Sequence, residues 1–273
     1  MAKTYVYLTS GNSWAVPADC ISATIECIGG GAAGFYLAQQ GGYYPHGAGG
    51  GGAYAKKNTL ALTPGSSVSY NIGTGGAAIA NTLSPGGDTW FKSTSDVLAK
   101  GGSAPSGQAG RYYTGGVGGQ AAACVGDVVY SGGNGNSTPG SQNHAPGGGG
   151  AAGLNGVGLS GVTSPWPSMG GVGDNGNGGS GGYINTSADT RIEAGNGTEW
   201  QISPSYGSGG GGAGSSYYGG GTAAAGNGGL YGAGGGGGNA YAANVSAGSG
   251  AQGLIVISYE PVLAPKNNFF NFI

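Results

Sequence analysis

Glycine supplies 70 of the 273 residues, yet only 7% of the chain is charged and the formal net charge is −2. Such glycine content without a strict repeat usually signals disorder, but disordered chains rely on high charge and few aromatics, and this one carries 17 Tyr and 4 Trp. No sustained Gly-X-Y register exists, which excludes collagen; the eight Lys and Arg are scattered, which argues against a nucleic-acid partner; and the longest aliphatic run, Leu254 to Ile257, is far short of the ~20 residues of a membrane span.

In chain order, Thr4 to Thr9 is β-branched and aromatic, and Ser10-Gly11-Asn12-Ser13 is a turn cluster. Met1 to Tyr5 lacks the apolar core of a signal peptide, so synthesis without one is expected. Trp14-Ala15-Val16 follows, then a second turn at Pro17-Ala18-Asp19. Ile21, Ala23, Ile25 and Cys27 alternate with Ser22, Thr24 and Glu26, the period of a half-buried strand, which runs straight into Gly29-Gly30-Gly31. A second β block spans about 53–100, with strands expected at 53–57, 59–62, 68–73, 89–91 and 97–99. Three cysteines, Cys20, Cys27 and Cys124, form no disulfide framework; small buried residues are expected, with a Cys20–Cys27 bridge as the lesser alternative.

Glycine dominates from about 101 to 252, in irregular runs that give no solenoid period. Helical periodicity is absent, because glycine interrupts every candidate window at ~1 kcal/mol each. Leu254 to Tyr259 is the strongest buried-strand signal, and its ladder requires a partner; strand 21–28 or strand 4–9 is the natural one.

The expected fold is therefore all-β: a sandwich-like base closed by N- and C-terminal strands, carrying a glycine-rich bundle with long loops. Boundaries fall at 1–102 plus 253–260 for the base, 103–252 for the bundle and 261–273 for a C-terminal tail. In the bundle, glycine segments would adopt an extended helix of three residues per turn, packing side by side with lateral hydrogen bonds, since no side chain blocks the approach. At a net ~1 kcal/mol per bond, such a lattice offsets the entropy of ordering glycine.

No catalytic constellation emerges, and the chain is read as a non-enzyme with no cofactor and no metal. GxGxxG matches arise by chance at this glycine content, and none has a strand–turn–helix context. His46 and His144 lie in Gly/Pro-flanked stretches and are expected to be solvent-exposed loop residues; no His/Cys spacing fits zinc. Carboxylates are too dispersed for a glycosidase pair, and Asp189, Arg191, Glu193 and Glu199 read as a solvated loop with local pairs. An ice-binding bundle would need a flat, regular face, which the bulky loops deny.

Tyrosine combined with Ser, Gly and Asn is instead the composition of adaptable recognition loops. The binding candidates are Phe35, Tyr36, Tyr43, Tyr44, Tyr112, Tyr113, Trp166, Tyr183, Trp200, Tyr206, Tyr217 and Tyr218, with covering of glycine faces as the competing structural role. Tyr5, Tyr7, Trp14, Tyr70, Trp90 and Tyr259 lie on expected strands and read as core. The apolar terminus Phe269, Phe270, Phe272 and Ile273 is a docking candidate.

Ala23 to Ile28 opening into Gly29-Gly30-Gly31-Ala32-Ala33-Gly34 resembles the start of glycine-rich phage tail-fibre and virion proteins. Gly49 to Ala55, Leu62-Thr63-Pro64-Gly65, Gly86-Gly87-Asp88-Thr89 and Ala99-Lys100-Gly101-Gly102 are similar to that module's middle, and Gly248 to Tyr259 to its closing strand. The likeness covers about 3–102 and 248–260. The stretch between is similar in character to receptor-binding adhesins at the tips of long tail fibres, although the chain lacks their long N-terminal attachment region. The resemblance implies a virion protein, made in a host cytoplasm, that binds a bacterial surface polysaccharide or outer-membrane protein and contacts other virion proteins, without nucleic acid or membrane insertion. Fibre appendages are often trimeric, which makes a homotrimer one expected arrangement; tip adhesins can be single copies. A non-adhesive fibre or capsid decoration, anchored through the Phe-rich terminus, is the alternative.

Overall fold

The computed structural model of the protein describes residues 2–38, 45–108, 112–137, 144–162, 168–185, 190–218, 221–239 and 245–262. Its strands are β1 (Thr4–Leu8), β2 (Ser13–Ala15), β3 (Ser22–Ile28), β4 (Tyr54–Ala61), β5 (Ser67–Asn71), β6 (Thr89–Phe91) and β7 (Val97–Ala99). There follow β8 (Ser106–Gln108), β9 (Tyr112–Thr114), β10 (Val128–Tyr130), β11 (Tyr183–Asn185), β12 (Thr190–Ile192), β13 (Ser216–Tyr218), β14 (Gly221–Ala223) and β15 (Leu254–Tyr259). Helix among the described residues is limited to single 3₁₀ turns at Ala121–Ala123 and Asp174–Gly176, so no helix is long and apolar enough to cross a membrane.

The all-β expectation holds. One sheet has the order β1-β15-β3-β4-β10 and a second β2-β5-β6-β7. The C-terminal strand pairs with both expected partners: Val6 faces Ile257, and Ile257 in turn faces Ile25. Ala23, Ile25, Cys27, Ile255 and Ile257 point between the sheets, where they meet Val68, Tyr70, Phe91 and Val97 in one core. Ile28, Leu254 and Val256 point to the other face, so β15 is buried on both sides and reads as an unbroken apolar run. The expected strands at 53–57 and 59–62 are one strand, β4, with a register shift where Ala23 pairs Leu60 but Ile25 pairs Lys57. Cys20, Cys27 and Cys124 are free thiols; Cys20 and Cys27 are buried, and burial pushes the Cys27 thiol pKa up. Tyr5, expected in the core, lies largely exposed on the edge strand β1.

At glycine, the strands change geometry without changing course. β3 runs into 29–35, β10 into 131–137, and 46–53 runs into β4. From Gly29 onward, successive amides donate in rotation to three neighbours. Gly29, Ala32 and Phe35 bond to the carbonyls of Ala53, Gly50 and Gly47; Gly30 and Ala33 to Gly87 and Ser84; Gly31 and Gly34 to Ala251 and Gly248. All seven distances are 2.8–3.0 Å. This period of three is the signature of a polyglycine-II-type helix, whereas a β-strand alternates between two neighbours.

The same rotation recurs at 46–53: His46, Gly49 and Gly52 bond Gly238, Gly235 and Gly232, Ala48 and Gly51 bond Asn136 and Gly133, and Gly50 and Ala53 bond Ser103 and Lys100. Segments 29–35, 46–53, 145–152, 208–215 and 232–238 form the fully buried interior. Shorter segments surround them: 73–77, 84–87, 100–103, 115–119, 131–137, 158–162, 169–173, 178–182, 195–197, 225–229 and 246–253. The glycine helices are thus drawn from both sides of residue 103.

The outer segments leave amides that no neighbouring carbonyl reaches, and short polar side chains take them. Gly118 N donates to Asn134 Oδ1 (2.9 Å), Asn134 N to Ser160 Oγ (3.2 Å), Leu230 N to Asn196 Oδ1 (2.9 Å) and Ser249 N to Asn227 Oδ1 (2.8 Å). These Asn and Ser residues complete the lateral lattice at its rim.

A Cβ built at Gly51 would overlap the carbonyl of Gly150, one at Gly148 that of Gly234, and one at Gly211 that of Gly148. Backbone cannot rotate aside as a side chain can. Gly51→Ala or Gly148→Ala is therefore expected to destabilise the protein by about 3 kcal/mol, against no more than ~0.5 kcal/mol for the exposed Val117→Ala. Chemical denaturation of the three variants checks this.

Candidate functional site

Neighbouring helices fix one another's direction, and the chain alternates. Segment 29–35 leaves the sandwich; 46–53 returns antiparallel to it; 145–152 runs parallel to 46–53, with Gly149 N on Gly49 O and Ala152 N on Gly52 O. Segment 208–215 is antiparallel to 145–152 and parallel to 232–238, so both lead away again. Every outward segment therefore ends at the pole opposite the sandwich. There lie residues 38 and 45, 108 and 112, 137 and 144, 162 and 168, 185 and 190, 218 and 221, and 239 and 245.

Three hairpins stand at this pole: β8–β9, β11–β12 and β13–β14. Bridges join two of them to their surroundings, His144 to Ser216 and Met169 to Tyr183, and a further bridge pairs Pro45 with Asn239. Beneath lies a floor of rings: Phe35 and Tyr113 centroids are 4.9 Å apart, and His46 lies 5.5 Å from Phe35 and 4.9 Å from Tyr113. Ile184, Ala213 and Ala223 make a second small apolar cluster. Arg191 Nε donates to Glu193 Oε1 at 2.7 Å, and its Nη1 donates to the Ala225 carbonyl at 3.1 Å, fastening β12 to the next inward helix.

The loop at 77–84 is described throughout. Asn81, with φ of 60°, turns it; its amide donates to Tyr36 O at 3.0 Å and its Oδ1 accepts from Ala38 N at 3.1 Å. The turn presents Ile79 and Leu83, which are 55% and 51% exposed. Tyr183 and Ile192 add 37% and 41% exposed apolar surface on the β11–β12 hairpin.

The predicted binding residues divide. Tyr36 and Tyr183 reach the polar end with exposed surface, and Phe35 and Tyr113 lie there but are buried in its floor. Tyr112, Tyr217 and Tyr218 sit on hairpin strands at that pole, their side chains outside the described residues. Tyr43, Tyr44 and Trp166, like the docking candidates Phe269, Phe270, Phe272 and Ile273, lie outside the described residues altogether.

Trp200 and Tyr206 belong to the other pole. Their segment follows an inward helix and covers the second face of the five-stranded sheet. Tyr206 stacks on Tyr7 at 4.1 Å and 6°, Trp200 lies 6.5 Å from Tyr54, and Trp200 Nε1 donates to Glu26 Oε1 at 3.3 Å. Tyr54 Oη donates to the same carboxylate at 2.5 Å.

Two expectations about polar residues are corrected. His46 is 0% exposed, not a solvated loop residue: it occupies the first position of an interior helix, and desolvation lowers its pKa to about 4. His144, half-buried, is lowered to about 4 by the same cause. Glu199 is not solvated either; burial raises its pKa, and Ser208 donates to it from both N and Oγ. Arg191 and Glu193 do form the expected local pair.

A family model described as a glycine-rich domain matches residues 8–260. The chain belongs to the glycine-rich domain family. The matched span begins at the end of β1 and ends just past β15, so the family's domain takes in sandwich and bundle together. A comparison with curated proteins gave no match.

Chemically, the described residues at this pole of the glycine-rich domain offer apolar and aromatic contacts, and Arg191 and Glu193 pair with each other. Sequence reading missed Ile79, Leu83 and Ile192, because an aliphatic residue in a short strand-like run reads as core. The signal available was the Asn81-Thr82 turn flanked by both aliphatics.

Two outcomes follow. His46 is neutral in the fold and titrates near 6.5 when unfolded, so the unfolded state gains protons first. Stability should fall as pH drops through 6.5 and level off below about 4, losing about 2 kcal/mol by pH 5. His46→Leu should reduce the slope of that part of a melting-temperature–pH profile, with His144 supplying what remains. Trp200→Ala should cost roughly 3 kcal/mol in stability, measured by chemical denaturation.

Proposed function

We propose that the chain is a bacteriophage virion protein, a tail-fibre tip or appendage adhesin that recognises a bacterial surface receptor through the loops at the far pole of its glycine bundle. One observation carries this reading: alternating helix direction gathers the hairpins and loops at one end, away from the sandwich where both described chain ends lie. A molecule attached by its sandwich presents that pole outward. The surface there suits non-catalytic contact, since exposed Tyr183, Ile79 and Leu83 supply apolar area. The receptor is a surface polysaccharide or an outer-membrane protein, the two classes whose recognition such loops serve.

Purified full-length protein should compete with phage adsorption to the host. Tyr183→Ala and Ile79→Asp should each weaken that competition about tenfold, the scale of losing one well-packed contact. Protein that binds particles but never cells would favour the decoration role instead. Loss of polysaccharide viscosity on incubation would point to an enzyme and sink the adhesin.

A further inference from the structure

Two histidines stand at the far pole, at the same end of neighbouring parallel helices. His46 opens segment 46–53 and His144 immediately precedes segment 145–152; Gly149 N on Gly49 O holds the two segments side by side. Each histidine is tied to the structure above it. His46 packs against Phe35 and against Tyr113 of β9. His144 bridges to Ser216 of β13, and the next amide, Ala145 N, donates to Ser215 O at 2.9 Å. Phe35 leads into Tyr36 and Ala38, which hold the Asn81 turn that presents Ile79 and Leu83.

A protonated His46 is poorly accommodated in that floor. The residue is fully buried, and neither ring nitrogen has a hydrogen-bond partner among the described residues. An imidazolium carries two N–H donors, and burying its charge without partners is costly. Burial lowers the His46 pKa to about 4, and the Gly238 carbonyl offsets this only in part. Burial alone lowers that of His144 to about 4. The titratable group packed on His46 is Tyr113, whose own pKa burial raises, so it stays neutral in acid. Segment 208–215 and β13 bring Ser215 and Ser216 to His144, and neither titrates. Arg191 and Glu193 pair with each other, and Arg111 and Asp189 lie outside the described residues. Among the described residues no carboxylate acts on either ring to hold a proton there.

We propose that the two histidines make the far pole an acid-operated latch: their protonation parts its floor while the sandwich stays closed, and receptor recognition is lost. The proposal rests on the reading of this pole as the recognition surface. Water reaches the His46 ring where Phe35 and Tyr113 separate, and that separation loosens β9 and the Asn81 turn together. The pole is the weaker end. Its described apolar packing is the ring cluster with Ile184, Ala213 and Ala223, against the extended core of the sandwich. A histidine released by opening titrates near 6.5. Closure is therefore fully favoured above that pH and is lost as pH falls toward 4. Going from pH 7 to pH 5 favours the open pole about twentyfold through His46, and His144 multiplies that factor.

Amide exchange on the full-length protein reads the latch without any receptor. Relative to intrinsic rates, protection at Phe35, His46 and Ala145 should fall about twentyfold or more between pH 7 and pH 5, and drop below that of β3 and β15. Pole amides that stay as protected as those strands at pH 5 overturn the inference, because the histidines then titrate only on global unfolding. Binding to fixed host cells, measured on the same preparation, should weaken about fivefold or more over that interval, and His46→Leu should retain most of it. A His46→Leu protein that loses binding as wild type does overturns the inference, as does wild type that binds equally at both pH values; the adhesin reading survives either result. If His46→Leu fails to fold, exchange on the wild type decides. Protein that binds cells at neither pH overturns the adhesin reading, and exchange still decides whether the pole opens.

Discussion

The lateral hydrogen bond between glycine backbones, with nothing larger than a hydrogen in the way, is the interaction on which this molecule depends. In the interior segments every turn of three residues meets three neighbouring chains, and a Cβ added at glycines such as Gly31, Gly49 or Gly211 would strike a carbonyl, whereas Ala32, Ala48 and Ala213 find room for theirs. Glycine's usual asset, access to positive φ, is hardly used: apart from Gly232, which opens its segment, the bundle glycines keep out of that region. What matters is the missing Cβ. The ordering cost of glycine is met by backbone bonds at a net ~1 kcal/mol each, so the bundle holds without a conventional apolar core. A substitution inside it therefore fails for a different reason than in an ordinary core, by pushing two backbones apart rather than by leaving a cavity.

A lattice of identical backbones has a weakness, since sliding one helix by three residues restores the same bonds. Register must be set elsewhere. The sandwich does this where side chains differ: Ile25, Cys27, Ile255 and Ile257 lock β3 to β15, and those strands continue into helices 29–35 and, from its preceding end, 246–253. At the other pole, Phe35, His46 and Tyr113 pack as rings where three helices end or begin. Between the two clamps glycine repeats freely. Burial of a neutral His46 thus belongs to register, which is why a histidine in a Gly/Pro-flanked stretch is not a solvated one.

Legibility in the sequence follows the same division. Strands 22–28 and 254–259 announce themselves through period-two alternation and an unbroken apolar run, and their pairing follows from the need to satisfy a lone ladder. The threefold packing is legible from glycine density alone. The poles are not, because composition describes a loop without saying at which end it lies. Trp200 and Tyr206 share the Tyr/Trp/Ser composition of the far loops yet seal the sheet face. Parity was the usable clue: each glycine run reverses direction, so a loop's place follows from counting runs outward from β3. The rim was hidden for a subtler reason. Asn134, Asn196 and Asn227 look like turn residues, but each stands in for a carbonyl that the lattice lacks at its edge.

The architecture also separates what can vary from what cannot. A loop at the far pole is held by the last bonds of two antiparallel helices, backbone to backbone as from Phe35 N to Gly47 O, or through short polar side chains as from Ala77 N to Ser84 Oγ. Its own side chains contribute little to register, so exchanging Ile79, Leu83 or Tyr183 changes the surface without disturbing the lattice beneath. The sandwich pole is bound by the opposite condition, for Glu26 alone receives Tyr54 and Trp200 from two different segments. The proposed recognition surface thus lies on loops above the ring floor, and the proposed attachment at the pole where the fold is most demanding of sequence. That asymmetry, more than the chemistry of any single aromatic residue, is the physical reason to read the two poles as serving different partners.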